Sequence, residues 1–200
     1  MRIISGSAKG LKLAGPPANN FHIRPTSDRS REALFSILGQ KVHGARVIDL
    51  FAGTGALGLE TLSRGGKSAV FVDNSSVSIS LIKRNVHSFL NCIESLNQSK
   101  QISIIKSDLR KNFNALKATE NNKIKDKFDI IFLDPPYDKN LAEQTLSKLS
   151  SGEYLDEDGV IIVEERAKTL LPKNIKNLRL KDIRQYGDTG FWFYSCILVA

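Results

Sequence analysis

The segment most informative about chemistry is the tetrapeptide Asp134-Pro135-Pro136-Tyr137, which directly follows the apolar run 128–133. Two prolines after a buried strand stop sheet pairing and fix the backbone in an extended turn. The Asp134 carboxylate and the Pro135 carbonyl can then accept both hydrogens of an exocyclic amine on a nucleic-acid base, which aligns its nitrogen for reaction. Tyr137 offers an aromatic face for an extruded base. The alternative is a structural β-turn.

A second segment with the composition of a ligand site spans residues 49–58, between a predicted strand and a predicted helix. Its glycines let the backbone approach a ligand closely, and the N-terminus of the following helix offers free N–H groups. This pattern fits NAD, FAD or S-adenosylmethionine equally well, and it also fits a simple packing turn. The candidate cofactor-binding residues of the loop are Asp49, Phe51, Ala52, Gly53, Thr54 and Gly55.

Acidic residues at the ends of the next two predicted strands narrow the choice of ligand. Asp73, followed by Asn74, can accept the hydroxyls of a ribose, and Asp108, followed by Leu109, can accept the amino group of an adenine. Asp49 would lie near an ammonium group. Several acids suit S-adenosylmethionine, with its ammonium, sulfonium, ribose and adenine, better than they suit a pyrophosphate. The alternative for Asp73 and Asp108 is capping of the next helix or turn.

Positive charge is concentrated in the first quarter of the chain. The 200 residues carry 29 Lys and Arg against 21 Asp and Glu, and residues 1–46 hold eight of the basic and two of the acidic side chains. Such a segment indicates a surface for a polyanion. The alternatives are a solvated basic face, or pairing of Arg29 and Arg31 with Asp28 and Glu32 on a helix surface. The candidate residues for contacts with such a polymer are Arg2, Lys9, Lys12, Arg24, Thr26, Arg29 and Arg31.

The rest of the pattern predicts the elements that position these residues. From residue 46 onward, predicted strands alternate with predicted helices, which is typical of a parallel, doubly wound α/β sheet. The strands are 47–51, 68–72, 102–105, 128–133 and 159–163, and the helices are 56–63, 75–89 and 140–149. Two closing strands, 178–185 and 191–199, have no helix between them, so one strand is expected to be antiparallel.

Before this alternation, the pattern predicts a strand or hairpin over 1–13 and a helix over 28–39 that is capped by Thr26 or Ser27. Two helices have an apolar stripe that is expected to be buried. The stripe of 28–39 is Ala33, Leu34, Ile37 and Leu38, and that of 75–89 is Val77, Leu81, Ile82 and Val86. The polar stretches 91–101 and 117–127 are expected to be surface loops.

Several classes of protein are not expected. Cys92 and Cys196 lack metal or redox spacing, which favours free thiols in a reducing compartment. The first residues contain no sustained apolar run of the kind a signal peptide has, and no apolar stretch reaches the roughly 18 residues that span a bilayer. We therefore expect a cytoplasmic protein without a metal site, and a monomer.

At this point the motifs together resemble a known family, the bacterial 16S rRNA guanine-N2 methyltransferases of the guanine-966 type, or RsmD-like family. The resemblance covers nearly the whole chain. Its most specific part is the Arg-Pro-Thr segment with the helix that follows. The matching segments are 2–6 with 9–10, 24–29 with 31–35, 49–58 with Glu60 and 63–65, 134–137, and 186–189.

The resemblance implies a class I S-adenosylmethionine-dependent methyltransferase fold, Rossmann-like, with a seven-stranded, mostly parallel sheet and one antiparallel strand. It implies a small basic extension over 1–43 and a methyltransferase domain over 44–200. It also implies methylation of the N2 amine of a guanine in 16S rRNA within a partly assembled small subunit. Arg24-Pro25-Thr26 would lie either on phosphates or over the cofactor or target base. Segments 91–101 and 111–127 match no family pattern.

Three other functions are consistent with part of the pattern. The same amine chemistry serves methyltransferases that act on DNA adenine or cytosine, or on a glutamine amide of a protein. A NAD-dependent oxidoreductase would account for the glycine loop but leaves the tetrapeptide at 134–137 unexplained. A non-catalytic RNA-binding assembly factor would account for the basic first quarter alone.

Overall fold

The fold was taken from a computed structural model, which describes residues 1–16, 27–94, 100–116, 127–137 and 140–197. The chain divides into two compact units, Met1–Lys106 and Ser107–Ala200. Of the helices within the described residues, none is long and apolar enough to cross a bilayer. Cys92 and Cys196 are both free thiols, the first exposed and the second half-buried.

The first unit begins with a segment that we call the N-terminal hairpin, residues 1–14. It is closed by one antiparallel bridge between Arg2 and Lys12, and by hydrogen bonds such as Ile3 N–H to the Leu11 carbonyl at 2.9 Å. The segment 1–13, which was predicted to be a strand or a hairpin, is therefore a hairpin whose arms are joined by a single β-bridge instead of a pair of strands. Gly6 and Gly10 both have left-handed φ angles, 85° and 88°. A Cβ on Gly6 would lie 1.9 Å from the Ser63 carbonyl oxygen, whereas a Cβ on Gly10 would meet nothing within 4 Å.

Helix α1, Asp28–Leu38, follows the prediction closely in its bounds. It begins at Ser27, whose hydroxyl accepts a hydrogen bond from the Ser30 N–H at 3.0 Å, and ends at Gly39, whose φ is 51°. The predicted stripe is wrong in part. Ile37 is 39% exposed, and the buried face instead comprises Ser30, Arg31, Leu34, Phe35 and Leu38. A short 3₁₀ turn, Gly39–Val42, leads to the sheet.

The first unit is centred on a parallel sheet of three strands in the order β3-β2-β1. The strands are β1 (Arg46–Leu50), β2 (Ser68–Asp73) and β3 (Gln101–Lys106). The apolar composition of β1 and β2 suits burial on both faces, as in parallel sheets with helical crossovers, and both strands are buried along most of their length, whereas β3 is half-buried. In the register, Asp49 is beside Phe71, and Phe71 is beside Ile104. The carboxyl ends of β1 and β2 therefore lie together.

Two crossover helices join these strands. Helix α2, Ala56–Ser63, has the predicted bounds and all eight of its residues are buried. Helix α3, Ser76–Glu94, extends five residues beyond its predicted end, so residues 91–94 are helical rather than part of a loop. Its predicted stripe is also partly wrong, because Val77 is 40% exposed. The buried face of α3 is Ser78, Ile79, Ile82, Asn85, Val86, Phe89 and Ile93.

The second unit contains five strands within its described residues. After a 3₁₀ turn, Phe113–Leu116, these are β4 (Phe128–Leu133), β5 (Leu155–Arg166), β6 (Asn174–Ile175), β7 (Leu178–Tyr186) and β8 (Thr189–Cys196). Helix α4, Leu141–Leu149, connects β4 to β5, which are parallel to each other. β8 is antiparallel to both β5 and β7, so it is the predicted antiparallel strand. The two-residue strand β6 has no counterpart in the prediction.

Candidate functional site

The cofactor loop, residues 51–55 between β1 and α2, is held in place by contacts between the residues on either side of it. Asp49 is 2% exposed, and its carboxylate accepts a hydrogen bond from the Gly58 N–H at 3.2 Å. A Cβ on Gly58 would lie 2.4 Å from the ring of Phe71, so a side chain there would push α2 away from β2. Asp49 and Gly58 therefore hold the start of α2 close to the sheet.

Asp73 connects the loop to the end of β2. One carboxylate oxygen accepts a hydrogen bond from the Gly53 N–H at 2.9 Å, and the other accepts one from the Ser75 N–H at 2.8 Å. The second contact closes a local turn before α3, and the start of α3 is capped by Ser75, whose hydroxyl accepts a hydrogen bond from the Ser78 N–H at 3.4 Å, rather than by Asp73. Each oxygen of an ionised carboxylate has two lone pairs, so both retain capacity for a hydroxyl hydrogen. The half-buried Asp73 and the exposed Asn74 thus fit the ribose of S-adenosylmethionine.

Phe51 lies at the point where β1 enters the loop, and its backbone has a φ of 63°. A left-handed conformation is unusual for a bulky residue and costs about 1–3 kcal/mol. Such strain is found most often where a binding site imposes the conformation of the backbone. The half-buried Phe51 and the buried Ala52, with its N–H donating to the Val72 carbonyl at 2.9 Å, support assignment of this loop as a ligand site.

Asp108, which belongs to the second unit, is held by Arg110. The guanidinium of Arg110 donates to both oxygens of Asp108, at 2.9 Å and 2.7 Å, and the Arg110 N–H donates to one of them at 3.0 Å. These bonds lower the pKa of Asp108 to about 2. The next residue, Leu109, is buried, and its carbonyl accepts a hydrogen bond from Lys148 at 2.8 Å. An adenine amino group at Asp108 would therefore share the carboxylate with Arg110.

The tetrapeptide 134–137 follows β4 directly, as predicted. Pro135 is buried and Pro136 is exposed, while Asp134 and Tyr137 are both half-buried. Neither functional side chain is sealed in packing, so both retain surface for a substrate. Sequence patterns did not predict a role for Arg166, at the end of β5, whose guanidinium carbon lies 5.7 Å from the centroid of the Tyr137 ring.

The basic first quarter forms an open cavity of about 270 Å³ within the first unit. Arg2, Lys9 and Arg29 are exposed residues of its lining, so three cations meet at one concave surface. The other lining residues are Ile3, Ile4, Gly10, Asp28 and Glu32. Lys12 is exposed on the hairpin but does not line the cavity. Arg24 and Thr26 lie outside the described residues.

Arg31 contradicts its predicted role. Its side chain is fully buried, and its guanidinium donates to the Arg2 carbonyl and, at 3.0 Å, to Asp28. A side chain in this position cannot contact a phosphate on the surface. Pairing with Asp28 was the open alternative, although Arg31 lies inside the protein rather than on the helix surface. Arg31 is therefore a structural residue that ties α1 to the hairpin.

Glu60 belongs to a segment that matches the family, but the sequence predicted no role for it. In the structure it anchors the hairpin. Its carboxylate is fully buried in α2 and accepts hydrogen bonds from the N–H groups of Ile4 and Ser5, at 2.7 Å and 3.0 Å. Arg64 donates to the same carboxylate at 2.7 Å. Ser63 adds two contacts, accepting from the Ala8 N–H at 2.9 Å and donating to the Ser5 carbonyl at 2.6 Å. A glutamate as the one charged residue of a predominantly apolar helix was the signal that such partners exist.

The chain matches one family of proteins over nearly its whole length. The model of the family described as "Conserved hypothetical protein 95" matches residues 1–195. The "Ribosomal RNA small subunit methyltransferase D" of Haemophilus influenzae is 37% identical over 183 residues, which cover 90% of this chain and 88% of the relative. The protein of the same name from Escherichia coli is 33% identical over 196 residues, covering 98% of this chain and 89% of the relative.

Solved structures agree with the fold. The Escherichia coli protein yhhF superposes with a TM-score of 0.76 at 30% identity, covering 98% of this chain and 97% of that one. The "rRNA methyltransferase aviRa" of Streptomyces viridochromogenes superposes with a TM-score of 0.63 at 12% identity, over 88% of this chain and 87% of that one. The second likeness shows the fold alone, and the first, at 30% identity over nearly the whole chain, confirms the predicted class I methyltransferase fold. By its sequence and its fold, the chain belongs to the family described as Conserved hypothetical protein 95, the RsmD-like family that its motifs resemble.

Proposed function

We propose that this chain transfers a methyl group from S-adenosylmethionine to the exocyclic N2 amine of a guanine in 16S rRNA of the small ribosomal subunit. The observation that carries the proposal is the tetrapeptide after β4, with Asp134 and Tyr137 both accessible. The names of the relatives from Haemophilus influenzae and Escherichia coli support the choice of ribosomal RNA as the polymer.

The residues of the first unit fit the cofactor. Asp73 would accept the ribose hydroxyls, and the backbone from Phe51 to Gly55 would line the rest of the ligand, with Asp49 holding the loop in shape. In the second unit, Asp108 is the acceptor predicted for the adenine amino group, and Arg110 already binds its carboxylate. When bound, S-adenosylmethionine supplies a methyl group on a sulfonium, which is electrophilic without a metal ion.

The tetrapeptide would prepare the nucleophile. An amine attached to a guanine ring is a weak nucleophile because its lone pair is delocalised into the ring. The Asp134 carboxylate and the Pro135 carbonyl accept its two hydrogens, which holds the nitrogen in a pyramidal geometry and stabilises the positive charge that develops on it. The rigid Pro135-Pro136 backbone fixes this carbonyl, and Tyr137 stacks on the extruded base.

The basic cavity would bind the RNA backbone. Arg2, Lys9 and Arg29 line it, Lys12 lies nearby on the hairpin, and Arg24 and Thr26 complete the predicted set. Contacts to phosphate position the RNA without reading its sequence. We propose that the natural substrate is rRNA in a partly assembled small subunit, bound by a cytoplasmic, monomeric enzyme.

The test is transfer of radiolabelled methyl groups to small subunits from cells that lack this protein. We expect label in 16S rRNA, and mass mapping of its digest should place the methyl group on N2 of one guanine. DNA and a glutamine-containing peptide, offered in competition, should remain unlabelled. Label in the DNA or the peptide would show that this polymer, and not rRNA, is the substrate. Label on an adenine would show that guanine N2 is not the methyl acceptor.

The role of Asp134 is tested with the same assay. Asp134→Ala should lower kcat by a factor of about 10²–10³, the usual cost of removing one group that stabilises a transition state. A matched control is Asp182→Ala, which removes an exposed carboxylate on β7 that pairs with Arg184 at 2.7 Å. Unchanged activity of Asp134→Ala would refute the assigned role.

A further inference from the structure

Asn85 lies on the buried face of α3 and is 1% exposed, and it connects the N-terminal hairpin to the cofactor loop. Its amide oxygen accepts a hydrogen bond from the Ala14 N–H at 2.7 Å. Its amide nitrogen donates to the Ala14 carbonyl at 3.1 Å and to the Thr54 carbonyl at 2.9 Å. One side chain therefore binds the last residue of the hairpin and the centre of the loop at once.

These three bonds leave the Asn85 amide no spare donor. Both of its hydrogens are donated, and a rotation of the amide by 180° would place its NH₂ group against the Ala14 N–H. Because the group is buried, water cannot replace a bond that is lost, so each displacement of a partner carries the full cost of an unsatisfied polar group. When the Thr54 carbonyl shifts, Asn85 must move with it or lose a hydrogen bond. If Asn85 moves, the backbone at Ala14 must move as well.

The two partners belong to segments with different proposed ligands. Thr54 lies between Gly53, whose N–H binds Asp73, and Gly55, the residue that precedes α2. Ala14 ends the hairpin that carries Arg2, Lys9 and Lys12. The hairpin's other side-chain attachments described above are made by Glu60 and Ser63, in the second half of α2, and by Arg31 in α1, and none of these is made to the loop.

We propose that Asn85 is a positioning residue that couples the two ligands, so that an occupied cofactor loop raises the affinity of the basic hairpin for RNA. The coupling rests on the proposed function, because it requires S-adenosylmethionine at the loop and RNA at the hairpin. Cofactor binding fixes the Thr54 carbonyl, Asn85 fixes Ala14 in turn, and the hairpin presents its cations in one arrangement. Linkage requires RNA to raise the affinity for the cofactor by the same factor.

The experiment measures the dissociation constant of tritiated S-adenosylhomocysteine, which cannot react, by equilibrium dialysis with and without saturating unmethylated small subunits. We expect the wild-type protein to bind it about tenfold more tightly when subunits are present, within the usual range of allosteric coupling. Asn85→Ala should reduce this ratio to less than about twofold. The reciprocal measurement, subunit affinity with and without S-adenosylhomocysteine, should give the same ratio for each variant.

The matched control is Ser63→Ala, which also removes two buried hydrogen bonds of the hairpin but none to the cofactor loop. It should keep the wild-type ratio. A second variant, Ala14→Pro, removes one of the two bonds between Asn85 and Ala14, the one from the Ala14 N–H, and leaves the bonds from Asn85 to the carbonyls of Ala14 and Thr54 in place. It should reduce the ratio below the wild-type value but keep the wild-type affinity for S-adenosylhomocysteine alone, and it decides the question if Asn85→Ala does not fold.

The outcomes separate this inference from the proposed function. A wild-type protein that binds S-adenosylhomocysteine and subunits with a ratio of one overturns the coupling and leaves the function standing. A ratio that survives in Asn85→Ala, that is undiminished in Ala14→Pro, or that disappears equally in Ser63→Ala overturns the route through Asn85. A wild-type protein that does not bind S-adenosylhomocysteine overturns both.

Discussion

The guanidinium of Arg166 lies over the ring of Tyr137, with its central carbon 5.7 Å from the ring centroid. The two residues come from different elements of the second unit, the turn after β4 and the last position of β5. A cation over one face of an aromatic ring contributes about 0.5–1 kcal/mol at an exposed site. Arg166 therefore orients the ring that is proposed to stack on the substrate base.

Substitutions at Tyr137 should separate stacking from hydrogen bonding. Tyr137→Ala should lower kcat/KM by about 10- to 100-fold, because stacking of a base on an aromatic ring contributes about 1–3 kcal/mol. Tyr137→Phe, which keeps the ring, should stay within about threefold of wild type. Steady-state methylation of small subunits measures both, and equal losses in the two variants would assign the effect to the hydroxyl.

Loss of the cation should have a smaller effect than loss of the ring. Arg166→Gln should lower kcat/KM by about two- to fivefold, the equivalent of the cation–π contribution. Arg179→Gln, at an exposed position of β7, is the control and should leave kcat/KM unchanged. A loss in Arg166→Gln as large as that in Tyr137→Ala would show that Arg166 contacts the RNA itself.

The pair of Asp108 and Arg110 predicts a pH dependence. Hydrogen bonds from the Arg110 side chain are the main cause that lowers the pKa of Asp108 from 3.8 to about 2. Because the folded-state pKa is depressed, the stabilisation by this pair is complete above pH 4 and is lost as the pH falls from about 4 to about 2. Carboxyl-carbon NMR should show Asp108 titrating near pH 2 in the wild-type protein.

In Arg110→Ala the pKa of Asp108 should return toward 3.8. Lys111→Ala is the matched control, since Lys111 also lowers this pKa but is its smallest cause. It should shift the titration far less. A pKa of Asp108 that does not rise in Arg110→Ala would show that the bidentate pair does not persist in solution.

The buried carboxylate of Glu60 should be important for stability. Glu60→Ala leaves the N–H groups of Ile4 and Ser5 and the guanidinium of Arg64 without their acceptor. Breaking a buried charged contact costs about 3–5 kcal/mol, which corresponds to a Tm lower by roughly 6–20 °C for a chain of this size. Thermal unfolding followed by circular dichroism measures the change. Glu94→Ala, at the exposed end of α3, should stay within about 2 °C.

The cations of the cavity should contribute to RNA binding through phosphate contacts. Lys9→Ala and Arg29→Ala should each reduce the slope of log K against log salt concentration by about 0.7–0.9, the value for one phosphate contact. Lys67→Ala, an exposed lysine between α2 and β2, is the control and should keep the wild-type slope. Unchanged slopes in both cavity variants would place the RNA elsewhere on the surface.

The periodicity of the sequence predicted the elements well and their buried faces less well. The bounds of α2 and β4 match the prediction, because alternation of apolar strands with helices in a parallel sheet leaves a strong pattern. The buried face of α1 was predicted wrongly in part, because only apolar residues were expected to be buried. The helical spacing that puts Leu34 and Leu38 inside also puts Arg31 inside.

The site was predictable where function requires a local motif, and not where it depends on contacts distant in sequence. The glycine loop and the tetrapeptide are each an unbroken run of residues, so the sequence shows their residue types directly. Arg166 is 29 residues from Tyr137, and Asn85 is 31 residues from Thr54 and 71 from Ala14. Asn85 did leave one signal, since it shares the apolar face of α3 with Ile82 and Phe89. A polar residue on such a face requires buried partners.

Gly6 and Gly10 share a backbone conformation but not their surroundings, and this difference sets their mutational tolerance. A left-handed residue in open space can be replaced by Asn or Asp, which visit that region readily, so Gly10 should accept both. At Gly6 the Ser63 carbonyl occupies the volume of any Cβ, so even alanine would lift the hairpin from α2. A saturation library selected for folded protein should therefore recover several residues at position 10 and glycine alone at position 6.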